Sequence, residues 1–349
     1  FIYELVSLMG KQYPELIQNR ELIRQIILNE EKRFADNLVF VNTQLNKMLE
    51  EMPEDEKVIS GDMAFMLHDT YGFPLEGTIE FAEEHGLTVD EDGFQMCLEA
   101  QQERGRAHAK DADKAWDLAG SIYAEILKEQ GPTEFIGYDQ LNSESKVLAI
   151  VSESGEELKS LRKDDTAFVV LDKTPFYGEK GGQIGDTGKF ASDDLNAEVL
   201  DTKIPVDGLI VHQVRVIDGV ILKDSQIHCG VSKMRRANIC RNHTATHLLH
   251  HVLGNVLGDH VKQAGSYVGP DRLRFDFTHF GALSDEEIHE VDTQINWLIA
   301  ESHKVNNYVT SLDKAKQEGV IALFGEKYGD EVRVLDIEGV SKELCGGTH

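Results

Sequence analysis

The pattern His243-x-x-x-His247 is the sharpest chemical feature of the chain. On an α-helix, residues four apart lie only ~40° apart around the axis, so both imidazoles face one way. Their ring nitrogens can then meet one metal ion at about 2.0–2.1 Å. By itself the pattern decides little, because two core or surface histidines at this spacing are commoner than a ligand pair. A second pair stands far along the chain: Cys345 and His349 are again four apart, with Gly346-Gly347 letting the backbone wrap tightly. Alone, that segment reads as a turn with a buried thiol. Together the two pairs offer three nitrogens and a thiolate, a donor set that suits one zinc ion per chain. Thr244 occupies the position where a His-Glu-x-x-His protease carries its general base, so that chemistry is excluded. Four protein ligands would close the site, and three would leave a position for water or substrate; spacing leaves both open.

Two further stretches invite a chemical reading. The glycine-rich run over 174–188 is not a phosphate loop: Gln183 stands where glycine is required, and Gly188-Lys189 is followed by Phe190. It reads as a turn needing several glycines. Lys233, Arg235, Arg236 and Arg241 cluster just before the histidines, with Arg272 and Arg274 later. The net charge is −27, unusual for a nucleic-acid binder, so this cluster either guides an RNA end toward the metal or is a solvated face with acidic neighbours. Cys97, Cys229, Cys240 and Cys345 are too few in 349 residues for a disulfide framework and point to a reducing compartment. No signal peptide and no apolar run of membrane-span length is present.

The elements that must position these residues follow from periodicity. Apolar residues three or four apart predict helix over 14–49, with Pro14 in its first turn, then helices over 60–70, from Pro74 to Gly86, over 90–109 and over 115–129. Beyond Gly131-Pro132, β-branched alternation predicts strands over 146–151, 166–171, 197–202, 209–216 and 220–222, in antiparallel pairs or a small barrel. Helix returns over 233–258, with Asn242 a candidate cap near the histidines, and again over 284–305 and 312–318, with a strand over 331–337. The fold class expected is therefore multi-domain: an all-α N-terminal domain over 1–132, a β-barrel-like part over 133–230, and a zinc-bearing α+β part over 231–349. Phe1 opens inside an apolar stretch and His349 closes a motif, so the chain reads as a fragment whose last ligand has no following residues to hold it.

Taken in order, the segments Asn29-Glu30-Glu31-Lys32-Arg33-Phe34, Gly61-Asp62-Met63-Ala64-Phe65, Asp69-Thr70-Tyr71-Gly72-Phe73-Pro74, Thr174-Pro175-Phe176-Tyr177, Gly181-Gly182-Gln183, His243-Thr244-Ala245-Thr246-His247-Leu248, Leu273-Arg274-Phe275-Asp276-Phe277, Phe324-Gly325-Glu326-Lys327-Tyr328 and Cys345-Gly346-Gly347-Thr348-His349 resemble bacterial-type alanyl-tRNA synthetases over essentially the whole chain. The resemblance implies alanine tRNA as partner, with no membrane and no DNA, in the cytoplasm. It implies that the helical domain recognises the acceptor stem, where Asp69 helps read a G·U pair. It implies that the remainder hydrolyses tRNA mischarged with serine or glycine at the zinc site. Thr246 is then the group that senses the seryl hydroxyl, Gln263 a second editing residue, and Arg235, Arg236 and Arg241 RNA contacts. The aminoacylation core, which alone needs ATP, would precede this chain, and the C-terminal oligomerisation region would follow it. A free-standing editing hydrolase is a rival that the helical segment disfavours, and a tRNA-binding module with a structural zinc is a rival from another class.

Overall fold

The computed structural model describes residues 1–51, 53, 57–322 and 329–349. The motif from Phe324 to Tyr328 lies outside the described residues. The chain divides into two compact units, residues 1–113 with 280–282, and residues 114–279 with 283–349. Among the described residues no helix is long and apolar enough to cross a membrane.

The first unit is built on helices α1 (Ile2–Met9), α2 (Pro14–Gln18), α3 (Arg20–Glu51), α4 (Gly61–Tyr71), α5 (Leu75–Glu84) and the start of α6 (Glu91–Gln130). Its core gathers Val41, Leu45, Ile59, Leu67, Phe73 and Ala82. The helix expected over 14–49 breaks at Asn19, which leaves helical geometry and turns its side-chain amide onto Glu15 O. Gly72 stops α4 in the left-handed region at φ 64°, and Phe73 N–H returns to Leu67 O, a bond pattern open to glycine at little cost. The two helices expected over 90–129 are one: Gly105 and Gly120 weaken a helix without ending it when no proline follows. A short parallel pairing of Val58–Ile59 with Thr88–Val89 adds strand where periodicity predicts helices alone.

The second unit opens with a barrel of six antiparallel strands, β1 (Asn142–Val151), β2 (Thr166–Leu171), β3 (Gly188–Ser192), β4 (Leu195–Val206), β5 (Leu209–Asp218) and β6 (Gln226–Val231). The ring runs β6-β3-β4-β5-β2-β1 and closes by pairing β1 with β6. Closure removes the free edges that an open sheet would expose. Ala167, Val169 and Leu171 point inward while Val170 points out against the end of α6 at Tyr123 and Ile126. A bulge between Val147 and Ala149 shifts β1, so Val147 and Ile150 both face inward.

After the barrel come α7 (Lys233–Leu257), a hairpin of β7 (Gln263–Val268) with β8 (Leu273–Phe277), α8 (Asp285–Glu301), and an antiparallel sheet of β9 (Val305–Ser311), β10 (Glu331–Ile337) and β11 (Ser341–Leu344) carrying α9 (Leu312–Gln317). Leu248 of α7 packs on Leu335 and Ile337 of β10, while Val252 and Leu253 pack with Val291 of α8. The mixed α and β architecture agrees with the expected class. The helix expected over 284–305 ends at Ser302, a non-glycine residue at φ 55°, so no glycine or proline marks the stop.

Candidate metal centre

Helix α7 starts ten residues before His243, so Asn242 does not cap it; Asn242 sits mid-helix and donates from Nδ2 to Gly269 O at 2.8 Å. His243 and His247 lie on one face, their rings nearly parallel with centroids 5.4 Å apart. The segment leaving β11 folds back over them. The ligand atoms of His243, His247, Cys345 and His349 all lie within 4.8 Å of one another, which makes this cluster able to hold a metal ion. His243 Nε2 and His349 Nε2 stand 3.5 and 3.2 Å from Cys345 Sγ.

Each imidazole turns its other nitrogen outward onto an acceptor. His243 Nδ1 meets Gln183 Oε1 at 2.8 Å, His247 Nδ1 meets Glu343 Oε2 at 2.9 Å, and His349 Nδ1 lies 3.2 Å from Thr244 Oγ1. An acceptor at Nδ1 holds the proton there and leaves the Nε2 lone pair pointing inward, the arrangement a metal-binding histidine requires. His247 Nε2 is buried and has no hydrogen bond among the described residues. A buried nitrogen left without a partner, aimed at a thiol and two further imidazoles, fits a metal ion.

The local electrostatics suit the same donor set. Burial pushes the Cys345 thiol up, but the three imidazoles outweigh it and hold the thiol well below its ordinary range. Burial lowers His349 to about 4 despite the neighbouring thiolate. Burial also opposes charge on His247, yet the Cys345 thiolate and the Glu343 carboxylate raise it to about 10. The cluster thus gathers a thiolate and holds protons that a divalent cation would displace.

The loop carrying Cys345 and His349 is fixed from several sides. Arg333 of β10 donates to Cys345 O at 3.1 Å and Gly347 O at 2.8 Å, and stacks over the Tyr138 ring at 4.1 Å. Tyr138 donates to Gly346 O at 2.7 Å. Gln183 is fully buried; its Oε1 also accepts from Thr348 N–H at 3.0 Å, and its Nε2 donates to Thr348 Oγ1 at 2.9 Å.

Three residues here had no site role in the reading of the sequence: Gln183, Glu343 and Arg333. The glycine-rich run over 174–188 is therefore more than a turn. It joins β2 to β3, pairs Gly182 and Ile184 with Val268 of the hairpin, and delivers Gln183 to His243. Its partner is sixty positions away, so spacing gave no signal. Glu343 carried a faint one, being a carboxylate two residues before Cys345 on a strand.

A cavity of about 290 Å³ opens beside the cluster, lined by His243, His247 and Cys345 and also by Thr246, Gln263 and Ser266. Thr246 is buried and donates to Asn242 O at 2.8 Å. Gln263 donates to Ser266 Oγ at 3.4 Å. The residues of the basic cluster differ in exposure. Arg236 is buried, paired with Asp186 and donating to Gly137 O and Pro175 O, so its guanidinium clamps the 174–188 loop and is not offered to an RNA. Arg235 donates to Gly185 O at 2.7 Å, and Arg241 is exposed beside Asn238. Asp69, exposed in the last turn of α4, accepts from Gln101 Nε2 and belongs to the first unit.

A family model described as tRNA synthetases class II (A) matches residues 1–235. The alanine–tRNA ligase of Pelotomaculum thermopropionicum is 43% identical over 356 residues, covering 100% of this chain and 40% of the relative. That of Thermobifida fusca is 44% identical over 346 residues, covering 99% and 39%. That of Thermotoga maritima is 43% identical over 353 residues, covering 100% and 40%. The chain thus spans about 40% of the length of these curated relatives. The family model stops short of His243, whereas the relatives align through the metal cluster.

Proposed function

Since the chain belongs to the class II tRNA synthetases, we propose that it is part of an alanine–tRNA ligase and carries two of its tasks. The helical residues 1–132 recognise the acceptor stem of alanine tRNA, with Asp69 as a reader of its G·U pair. Residues 133–230 and 231–349 form the editing part, which hydrolyses tRNA mischarged with serine or glycine. Ligation and its ATP belong to the part of the relatives' length that this chain does not span, and the setting is the cytoplasm.

One observation carries the editing reading: a single cavity is lined by three of the four candidate zinc ligands and by Thr246 and Gln263. The need for such a site is physical. A pocket shaped for alanine cannot strongly reject serine, which adds only a hydroxyl, and glycine simply fits. A second site can apply the opposite test. The Thr246 hydroxyl gives its hydrogen to Asn242 O, so Oγ1 offers lone pairs as an acceptor. A seryl hydroxyl can donate to it, and an alanyl methyl cannot. Gln263 supplies a second polar group, and Ile204, Ile210 and Leu344 add apolar lining to the cavity. His243, His247, Cys345 and His349 would hold one zinc ion, which when bound polarises a carbonyl or activates water. Exposed Lys233 and Arg241 offer charge to the RNA backbone.

A second reading has its own support. Four converging protein donors suit a closed, structural zinc, in which case the chain binds tRNA without hydrolysing its ester. Deacylation of seryl- and alanyl-tRNA, with bound zinc measured in parallel, separates the two. Faster loss of the seryl ester, abolished with the zinc in Cys345→Ala, supports editing. A zinc-loaded chain that leaves seryl-tRNA intact supports the structural reading, and full hydrolysis by zinc-free Cys345→Ala removes the metal from the chemistry.

A further inference from the structure

Glu343 stands out among the residues the proposed reaction does not use. It is 3% exposed, in the strand β11. Its Oε2 lies 2.9 Å from His247 Nδ1 and 3.3 Å from His250 Nδ1, and its Oε1 accepts from Ser341 Oγ at 2.8 Å. No lysine or arginine pairs with it among the described residues. A buried carboxylate is costly unless a positive charge compensates it. Two imidazoles and a hydroxyl supply its hydrogen bonds; once an ion takes Nε2, His247 is neutral and the ion itself supplies the compensating charge.

We propose that Glu343 is the positioning carboxylate of the metal centre: it fixes His247 with Nε2 free for the ion and balances the charge that the ion brings. The proposal rests on the reading of the cluster as a metal site. The three imidazoles each have an outer acceptor, but Gln183 and Thr244 are neutral and Glu343 alone carries charge. A divalent ion, the Cys345 thiolate, three neutral imidazoles and the Glu343 carboxylate sum to zero, so the buried assembly bears no net charge. The strand and the residue that follows it deliver both negative groups. Cys345 lies one residue past β11, its N–H still bonded to Arg333 O, so Glu343 and Cys345 approach His247 from the same segment, one at Nδ1 and the other on the Nε2 side. Glu343 also lines the cavity, which raises the alternative of a general base. Its hydrogen bonds argue otherwise: Oε2 serves two imidazoles and Oε1 serves Ser341.

The test is zinc affinity, by competition with a chromophoric chelator, for the 349-residue chain and for Glu343→Gln and Glu343→Asp. Glutamine keeps an acceptor for His247 but removes the charge. Glu343→Gln should bind zinc on the order of 10–100-fold more weakly, with an unchanged far-ultraviolet dichroism spectrum. Its seryl-tRNA hydrolysis should return when zinc is raised to saturation. Glu343→Asp keeps the charge and should fall between the two, which also serves if the glutamine variant does not fold. Wild-type affinity in the substituted chains overturns the role of Glu343 while leaving the metal site standing. Hydrolysis absent at full zinc occupancy overturns it in favour of a general base. A wild-type chain that takes up no zinc overturns the metal reading and this inference together.

Discussion

Gly347 lies against the ring of His243: a Cβ there would come within 2.1 Å of Cε1 and 2.4 Å of Nδ1. Those contacts are too short for any adjustment that leaves both the ring and the loop in register, so Gly347→Ala must push the imidazole off Gln183 or lift the loop that carries Cys345. Either way one donor leaves the cluster. The expected outcome is zinc binding weakened on the order of 10–100-fold, read by chelator competition, with the barrel intact by far-ultraviolet dichroism. Retention of wild-type affinity would show that the loop has slack that the contacts deny. Thr246 invites a different substitution. Thr246→Val keeps the shape and removes the acceptor, so seryl-tRNA should lose its advantage over alanyl-tRNA by roughly 3–10-fold, the worth of one net hydrogen bond. The measurement is the ratio of the two deacylation rates; an unchanged ratio assigns the discrimination elsewhere, with Gln263 the next candidate. At this scale the sequence revealed ligands better than their supports. His243, His247, Cys345 and His349 share a spacing of four that a reader can find. Gln183 and Glu343 touch the site from other elements, and little beyond the closeness of Glu343 to Cys345 distinguishes them from an ordinary loop amide or strand carboxylate.

Strands dense in β-branched and other apolar residues were the legible ones. The runs over 166–171 and 331–337 coincide with β2 and β10, which are dense in apolar residues because each packs on both of its faces. The strands β3, β6 and β7 escaped notice because glycine and polar residues interrupt the apolar pattern of each, although β3 and β7 pair with the strand next in sequence. Strand β5 carries the residue with the clearest acid sensitivity. His212 is fully buried, its Nε2 2.8 Å from Thr174 Oγ1 and its Nδ1 3.0 Å from Val169 O. Burial lowers its pKa from 6.5 to about 4, against a smaller raising effect from Val169 O. The unfolded chain takes up this proton near pH 6.5 and the native barrel only near pH 4. Unfolding free energy contributed by His212 is therefore complete above that window and declines as the pH falls through it, by about 3 kcal/mol in all. His212→Asn retains a donor near the Nδ1 position and cannot titrate. Urea unfolding at pH 7.5 and 4.5 should show a smaller acid loss in the variant by about 2–3 kcal/mol, and equal losses would exclude His212 as a source.

Across the whole molecule, the metal centre is a long-range tie. It would join the middle of α7 to the segment after β11, residues such as His243 and Cys345 that stand 102 positions apart. The barrel needs no such tie, because its ring is closed by backbone pairing, and the helical core of the first unit has its own apolar cluster. The first turns of α7 are likewise held independently, by the buried pair of Arg236 with Asp186. Removing the ion should therefore loosen one part and spare the rest. A ligand present at a hundred times its dissociation constant contributes about 2.7 kcal/mol to the state that binds it, enough for amide exchange to resolve. Hydrogen exchange with and without a chelator should then show protection lost over about 240–250 and 333–349 and unchanged in the barrel strands and in α3 to α5. The relevant physical distinction is between a centre that supports a site and one that supports a fold. Loss confined to those two segments fits an ion that organises the cavity walls. Loss spreading through β1 to β6 would instead make the ion a determinant of the barrel, and no change anywhere would mean that Arg333, Tyr138 and Gln183 hold the loop without it.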